Sequence, residues 1–176
     1  MKKWFKILLG GFVLLLVAFF GLRTWTKSFS PEALEKIEKA GFTAEITYCR
    51  PSKKGRVIFG GLVPYGKVWR TGANEATVIQ LGQDTNIAGS VLPKGNYSLW
   101  TIPQQDEWTI IFNKETGQWG TNYNPEEDIL KVKVTPRYTA DTVEMFTISF
   151  HSKGNDVEMV LAWDNVQVAV PMKKAN

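Results

Sequence analysis

An uncharged apolar run near the start of the chain, Ile7 to Leu22, restricts its fold more than any other feature. The run is 16 residues long (22 − 7 + 1), slightly short of the ~20 that a spanning helix needs. Trp4 and Trp25 stand near its two ends, where amphipathic indole rings prefer the lipid headgroup region. Three lysines precede it: Lys2, Lys3 and Lys6. Because basic residues stay on the cytoplasmic side, we expect one membrane-spanning helix with a cytoplasmic N-terminus and the rest of the chain outside.

A secretory signal peptide is the alternative interpretation, because it also combines a basic start with an apolar stretch. The segment is long for a signal, and residues 23–27 (Arg-Thr-Trp-Thr-Lys) offer no small-residue cleavage site. We therefore expect residues 1–27 to be an uncleaved anchor in the cell membrane. Cleavage would instead give a secreted or periplasmic protein, and both interpretations export the remainder of the chain.

The charge distribution separates this anchor from the rest. The chain has 21 Lys and Arg against 17 Asp and Glu, and five of the bases lie within the first 27 residues, which contain no acid. The remainder carries 21 − 5 = 16 bases against 17 acids, so nucleic acid is not expected as a partner. Cys49 is the sole cysteine, which rules out an internal disulfide and predicts a small buried side chain.

From Phe42 onward, apolar and polar residues alternate as they do in half-buried strands. The pattern is clearest at 130–134, 146–150 and 166–170. Residues 107–113 and 157–163 are more continuously apolar, as central strands are. Short turn sequences, among them Asp164-Asn165, separate these segments. We expect residues 42–176 to form one mainly β domain, a single antiparallel β-sandwich or jelly-roll-like barrel.

Residues 28–41, between the anchor and the β domain, are predicted to form a short linker helix. Ser30 suits an N-cap, Pro31 suits the first helical turn, and Gly41 suits the end of a helix. Acids come early and bases late in the segment, as the helix dipole favours. We expect this helix to pack on the domain as a spacer.

The segment from Arg50 to Glu75 is not typical of a strand. Six bases and no acid occur between Ile46 and Asn74: Arg50, Lys53, Lys54, Arg56, Lys67 and Arg70. One interpretation is that these bases pair with acids on later strands or are solvated in a loop. The other is an anion-recognition surface, with the planar guanidinium of Arg70 for a carboxylate or phosphate and Trp69 as a stacking face.

Several motifs follow one another from this segment onward: Arg50-Pro51-Ser52, Leu62-Val63-Pro64-Tyr65-Gly66, Val68-Trp69-Arg70-Thr71-Gly72-Ala73-Asn74-Glu75, Trp108-Thr109 and Gln118-Trp119-Gly120. Together they resemble a bacterial domain-of-unknown-function family, number twenty-nine eleven, from about Thr43 to Pro171. The resemblance implies a predominantly β domain, usually exported, with no established activity. It therefore supports the predicted fold and location and leaves the chemistry open.

Most catalytic arrangements are excluded by the residues that the chain contains. A zinc site needs several His or Cys ligands, and the chain has only His151 and Cys49, so we expect no metal and no other cofactor. His151 lies two residues from Ser149, but no nucleophile elbow exposes that serine. No specific catalytic signature remains.

Two hypotheses about function are left. The first is a noncatalytic, membrane-tethered β domain that binds an envelope glycan, peptide or protein partner through the Arg50–Glu75 region, because binding residues gather on loops held by rigid sheets. Its candidate ligand-binding residues are Arg56, Trp69, Arg70, Asn74 and Glu75. The alternative is an extracytoplasmic hydrolase, with Glu75 as acid or base and Arg70 setting its ionisation or holding an anionic substrate. We favour binding over catalysis.

Overall fold

The computed structural model describes residues 2–154 and 156–175. Met1 of the predicted anchor, and Asn155 and Asn176 of the predicted β domain, lie outside the described residues. The chain begins with one long helix, α1 (Lys2–Ser28). Within it, Trp4–Leu22 is long and apolar enough to cross a membrane, at 19 residues with a mean hydropathy of 2.4. The predicted N-terminal apolar helix is confirmed, and it is compatible with an anchor.

Strands make up most of the remaining chain. In order they are β1 (Glu32–Lys39), β2 (Phe42–Cys49), β3 (Thr77–Leu81), β4 (Thr85–Ile87), β5 (Ser90–Leu92), β6 (Gly95–Ile102), β7 (Trp108–Asn113), β8 (Asp128–Val134), β9 (Pro136–Lys153) and β10 (Asp156–Lys174). A short 3-10 helix, Pro125–Glu127, precedes β8. The alternating segments predicted at 130–134, 146–150 and 166–170 lie in β8, β9 and β10.

The strands form two antiparallel sheets. The first has six strands in the order β1-β2-β3-β6-β7-β8, and the second has four in the order β5-β4-β10-β9. The predicted mainly β, antiparallel fold is confirmed, and within the described residues the sheets do not close into a barrel, as in a sandwich. Hairpins join β1 to β2, β4 to β5, β6 to β7 and β9 to β10, of which the last is the longest. Strand β3 pairs with β6, and β4 pairs with β10, across longer connections.

The core lies between the sheets because alternate residues of each strand point inward. On β2, Phe42, Ala44, Ile46 and Tyr48 are all buried. The Tyr48 hydroxyl, placed among apolar side chains, donates to the Ile148 carbonyl on β9 (3.1 Å) and accepts from the Ile148 amide (2.9 Å). Since buried polar groups must be paired, this double hydrogen bond joins the two sheets at one defined point.

The predicted linker helix at 28–41 is wrong, because most of that segment is strand β1. Ala40 and Gly41 both have positive φ, 51° and 76°, which is the two-residue turn that favours an antiparallel hairpin. Gly41 therefore turns the chain into β2 and does not end a helix. Lys36 lies opposite Glu45 on β2, and their side chains form an ion pair at 2.5 Å. Lys36, one of the charges that suggested a helix end, thus takes part in cross-strand pairing, and tertiary pairing outweighs weak helix propensity.

The predicted break at Asp164-Asn165 is also wrong, because β10 continues through it. Asp164 has a φ of 55°, and the register with β9 shifts on both sides of it. An irregularity of this kind bends a strand without ending it. Asp164 and Asn165 therefore form an irregularity within β10 and not a turn between two strands.

Candidate functional site

Residues 50–76, the connection from β2 to β3, cross one end of the sandwich and are tied to both sheets. On the side of the first sheet, the amide of Trp69 donates to the Thr101 carbonyl (2.8 Å) and the Thr101 amide donates back (2.9 Å). On the side of the second, the amide of Lys53 donates to the Glu144 carbonyl (2.7 Å). The connection is therefore a fixed surface loop, which suits a site that must hold its shape.

The middle of this loop folds back on itself. The Val63 amide donates to the Ile58 carbonyl (2.9 Å), and both side chains are buried. Gly61 permits the turn, since a β-carbon there would lie 2.5 Å from the Val57 carbonyl oxygen. Burial of Ile58 and Val63 pins the turn to the core and leaves its polar and basic residues outside.

The loop and the first residues after α1 enclose a cleft of about 590 Å³. Its bases are Lys54, Arg56, Lys67 and Arg70, and Phe29, Trp69 and Trp163 are among its other walls. We call this the basic cleft. Of the described residues that line it, none is acidic. Nor does any of its four bases form an ion pair with another described residue.

Arg70 is the least exposed of the four bases that line the cleft. Its Nη1 donates to the Gly120 carbonyl (3.3 Å), while its Nε is buried and has no hydrogen-bond partner among the residues that the structure describes. Burial lowers the pKa of the Arg70 guanidinium. The absence of a side chain at Gly120 leaves room for the Arg70 side chain, because a β-carbon there would collide with Arg70 Cδ. A buried donor without a partner is costly in a native fold, which makes Arg70 the most unusual of the cleft bases and keeps it a candidate site residue.

The exposed bases are also partly oriented. Arg56 donates through Nε to the Lys53 carbonyl (3.0 Å) and through Nη2 to the Ser52 carbonyl. Lys54 places its ammonium 5.1 Å from the centre of the Phe29 ring, a cation–π arrangement. The Lys54 amide donates to the Glu144 carboxylate (2.8 Å), yet its ammonium forms no ion pair within the described chain. These contacts hold positive charge at the rim.

Trp69 has two roles in the structure. Its ring stacks on Trp163 (5.8 Å between centroids, 19° between planes) and meets Phe146 edge-on (5.0 Å). Its Nε1 donates to the Gly72 carbonyl (3.1 Å). The predicted stacking residue therefore lines the cleft and also packs in the core, so its ring is rigidly held.

Asn74 and Glu75 are not among the residues that line the cleft. Glu75 forms an ion pair with Lys27 at the end of α1 (2.9 Å) and lies 3.9 Å from the Cys49 sulfur. The hydrogen bond with Glu75 raises the pKa of Lys27. The pKa of the Cys49 thiol is raised mainly by burial, and the negative charge of Glu75 raises it further. The predicted candidates thus divide into Arg56, Trp69 and Arg70 at the cleft, and Asn74 and Glu75 beside it.

The family of the chain follows from a match to a family model. The model described as "Protein of unknown function (DUF2911)" covers residues 30–172, which is 143 of the 176 residues (172 − 30 + 1). The chain belongs to the DUF2911 family. The resemblance seen in the sequence motifs is thereby confirmed, and every base of the basic cleft lies in the matched range. A search of curated proteins and a search of solved structures gave no match.

The cleft of this DUF2911 chain also contains residues that sequence reasoning did not single out. Lys54 and Lys67 belong to the predicted run of bases, and their charge was the available signal. Phe29 belongs to the segment predicted as a linker helix, and nothing in its local sequence indicates that it meets Lys54, 25 residues later (54 − 29). Arg50 and Lys53, from the same run of bases, instead contact β9 and β10, and the local sequence gives no sign of these long-range contacts.

Proposed function

We propose that this DUF2911 chain is a membrane-tethered extracytoplasmic β domain that binds an anionic group of an envelope glycan, peptide or protein partner in the basic cleft. Binding is noncatalytic in this proposal. The observation that carries it is the presence of four bases around one concave site, none of them paired with a described acid.

The electrostatics of the cleft support an anionic ligand. Like charges that converge without counter-charges raise the local potential and attract anions. Arginine forks and lysine ammonium groups match carboxylate and phosphate oxygens. Aromatic walls such as Trp163 add apolar contact area around this polar centre, which is the usual composition of a small-ligand pocket.

The rigidity of the loop supports binding as well. Its main chain is hydrogen-bonded to Thr101 and Glu144, on opposite sheets. A surface that is already ordered loses less conformational entropy when its ligand arrives. Less of the binding free energy from the four bases is therefore spent on ordering the loop.

The tether is supported by α1 and by the charges around it. The apolar span Trp4–Leu22 follows Lys2 and Lys3, and basic residues favour the cytoplasmic side. The β domain would then lie outside the cell membrane.

The hydrolase alternative has less support. Its proposed acid or base, Glu75, is engaged by Lys27 and lies outside the cleft lining. Of the described lining residues none is a carboxylate, whereas carboxylate-based hydrolysis of glycosides needs two. Turnover of ester, glycoside, peptide or phosphate substrates that Glu75→Gln abolishes would restore the enzyme hypothesis.

Binding is tested with the full chain in nanodiscs of phosphatidylcholine. Polyglutamate and polygalacturonate serve as acidic peptide and acidic glycan probes, and dextran is the neutral control. We expect binding of at least one acidic probe, weakened about tenfold by Arg70→Met because a charged hydrogen bond is lost. Lys133→Met, which removes an exposed base on β8 outside the cleft, should leave the affinity nearly unchanged. Equal affinity of both variants would exclude the cleft as the site.

The orientation is tested by labelling. Because Cys49 is buried, Lys94→Cys adds one accessible thiol on the exposed surface of the β domain. A membrane-impermeant maleimide should label it in intact cells after removal of any outer barrier. Labelling only after lysis would place the domain inside.

A further inference from the structure

The position of the basic cleft relative to α1 suggests a more specific ligand. Its wall includes Phe29 and Ser30, the first two residues after α1. Ser28 lies six residues beyond Leu22, the end of the apolar span (28 − 22). At 1.5 Å per helical residue this is roughly 9 Å, and the headgroup layer beyond each side of the hydrocarbon is roughly 5–8 Å thick. With α1 in a bilayer, the cleft therefore opens close to the level of the lipid phosphates.

The loop around the cleft exposes apolar residues as well as bases. Val57 is 71% exposed, Leu62 48% and Val68 39%, and Leu62 and Val68 line the cleft itself. Phe29 is 49% exposed beside them. Apolar side chains interleaved with Lys and Arg are typical of surfaces that lie in the membrane interface, where the apolar groups enter the lipid and the bases meet phosphate. In water the same apolar side chains would gain nothing from exposure.

The charges fit a phosphate in particular. Two arginines and two lysines line one site: Arg56, Arg70, Lys54 and Lys67. A phosphate monoanion or diester accepts hydrogen bonds from several donors at once.

We propose that the basic cleft holds the phosphate headgroup of an anionic phospholipid from the membrane that contains α1, and that the exposed loop residues enter the interface around it. This proposal rests on the proposed function, because it assumes that α1 spans the bilayer and that the cleft binds anions. It keeps the tether and the anion-binding cleft of that proposal and assigns the anion to a membrane lipid in place of a glycan, peptide or protein.

The test uses the full chain with Val57→Cys carrying a polarity-sensitive fluorophore and Cys49→Ser removing the native thiol. The protein is reconstituted in nanodiscs of phosphatidylcholine alone or with part replaced by phosphatidylglycerol. We expect the emission to shift to the blue with phosphatidylglycerol, because the label at position 57 then enters the interface. Removal of Lys54, Arg56 and Lys67 (K54M, R56Q and K67M) should lower the ratio of molecules with the loop in the membrane interface to molecules with the loop in water by about fivefold for each base.

A matched variant removes three exposed bases outside the cleft, Lys36, Lys133 and Lys173 (K36M, K133M and K173M). It should retain the blue shift in full. An equal loss of the shift in the two triple variants would mean general attraction of a basic surface to the membrane and would overturn the proposal. Circular dichroism of both variants checks that each is folded.

Glycerol phosphate, added to both kinds of nanodisc, distinguishes the source of the anion. If it binds the cleft while phosphatidylglycerol causes no shift, the ligand is a soluble anion, so the lipid proposal fails and the proposed function survives. If glycerol phosphate, phosphatidylglycerol and the acidic polymers all fail to bind, the proposed function fails too. A shift that glycerol phosphate competes away, and that the cleft variant lacks, supports lipid binding.

Discussion

Two groups of bases from one short segment have opposite surroundings. Lys53 pairs with Asp164 on β10 at 2.5 Å, and the two side chains are only 22% and 17% exposed. Arg50 donates to the Phe146 carbonyl (3.1 Å) and to the Thr147 hydroxyl (2.9 Å) on β9. Lys54, directly after Lys53, is exposed at the cleft with the other three bases. The first group joins the loop to the second sheet, and the second group leaves its charge available.

The contrast shows that one run of bases in a sequence can contain both residues that stabilise the fold and residues whose charge stays exposed. Neighbouring side chains on an irregular loop point in different directions, so adjacent lysines can have different partners. An ion pair removed from water must keep both members, because a lone buried charge is strongly unfavourable. An exposed base contributes little to stability, which frees it for recognition.

The largest expected effect is on stability, from Lys53→Met. The change keeps the aliphatic stem but leaves Asp164 partly buried without its ion-pair partner, so we expect the free energy of unfolding to fall by about 2 kcal/mol. Lys54→Met is the matched variant one residue later and should change it by less than about 0.5 kcal/mol. Urea unfolding of the full chain in detergent, followed by near-ultraviolet circular dichroism, measures both. Similar losses in the two variants would remove the distinction between the groups.

The second prediction concerns Gly120→Ala, which acts on both stability and binding. The added methyl group would meet Arg70 Cδ and the Asn74 carbonyl oxygen, so we expect a loss of about 1–2 kcal/mol from overpacking. Because Arg70 must move, affinity for an acidic probe should fall as well. Thr121→Ala, at the next and exposed position, is the control that should affect neither. Retained affinity in Gly120→Ala would mean that Arg70 does not need its observed position.

The third prediction is a loss of binding without a loss of stability. Lys67→Met removes an exposed cleft base that has no ion-pair partner in the described part of the chain. The unfolding free energy should stay within about 0.5 kcal/mol of the parent. The affinity for an acidic probe should fall several-fold, and its dependence on salt should weaken, since one charge no longer takes part. Titrations at two salt concentrations measure this, and an unchanged salt dependence would exclude Lys67 from the contact.

The smallest expected effect is the pH dependence of stability, from a residue that belongs to neither group of bases. Burial raises the pKa of the Cys49 thiol above its ordinary 9.0. The folded state then holds the proton more tightly, so this contribution is fully present below pH 9.0 and is lost as the pH rises through the folded pKa. Thermal unfolding from pH 8 to above pH 9.0 should show the decline. In Cys49→Ala the decline should be shallower, and an identical slope would rule out the thiol as its source.

Much of the fold could be predicted from local pattern. The apolar run indicates α1 because its length and lack of charge leave few alternatives, and period-two alternation indicates β8, β9 and β10. The strand β1 could not be found in this way. Its sequence suits a helix locally, and its strand form depends on pairing with β2 through the Ala40-Gly41 turn.

The candidate site, like the fold, was predictable only where a local pattern indicates it. The absence of acids between Ile46 and Asn74 identifies the loop, and Arg56, Trp69 and Arg70 lie at its cleft. Which bases are paired depends on Asp164, more than 90 residues away on another strand. The ion pair of Glu75 with Lys27 likewise joins parts of the chain that are distant in sequence. Long-range partners of this kind leave no local signal.

The connection between α1 and β1 is only three residues long, 29–31 (32 − 28 − 1). Even fully extended, three residues reach roughly 10 Å, and the Lys27–Glu75 ion pair shortens the available range further. If α1 spans a bilayer, as proposed, a connection of this length keeps the β domain within a narrow layer at the membrane surface. A ligand of a domain anchored in this way would then have to be bound within a short distance of that surface.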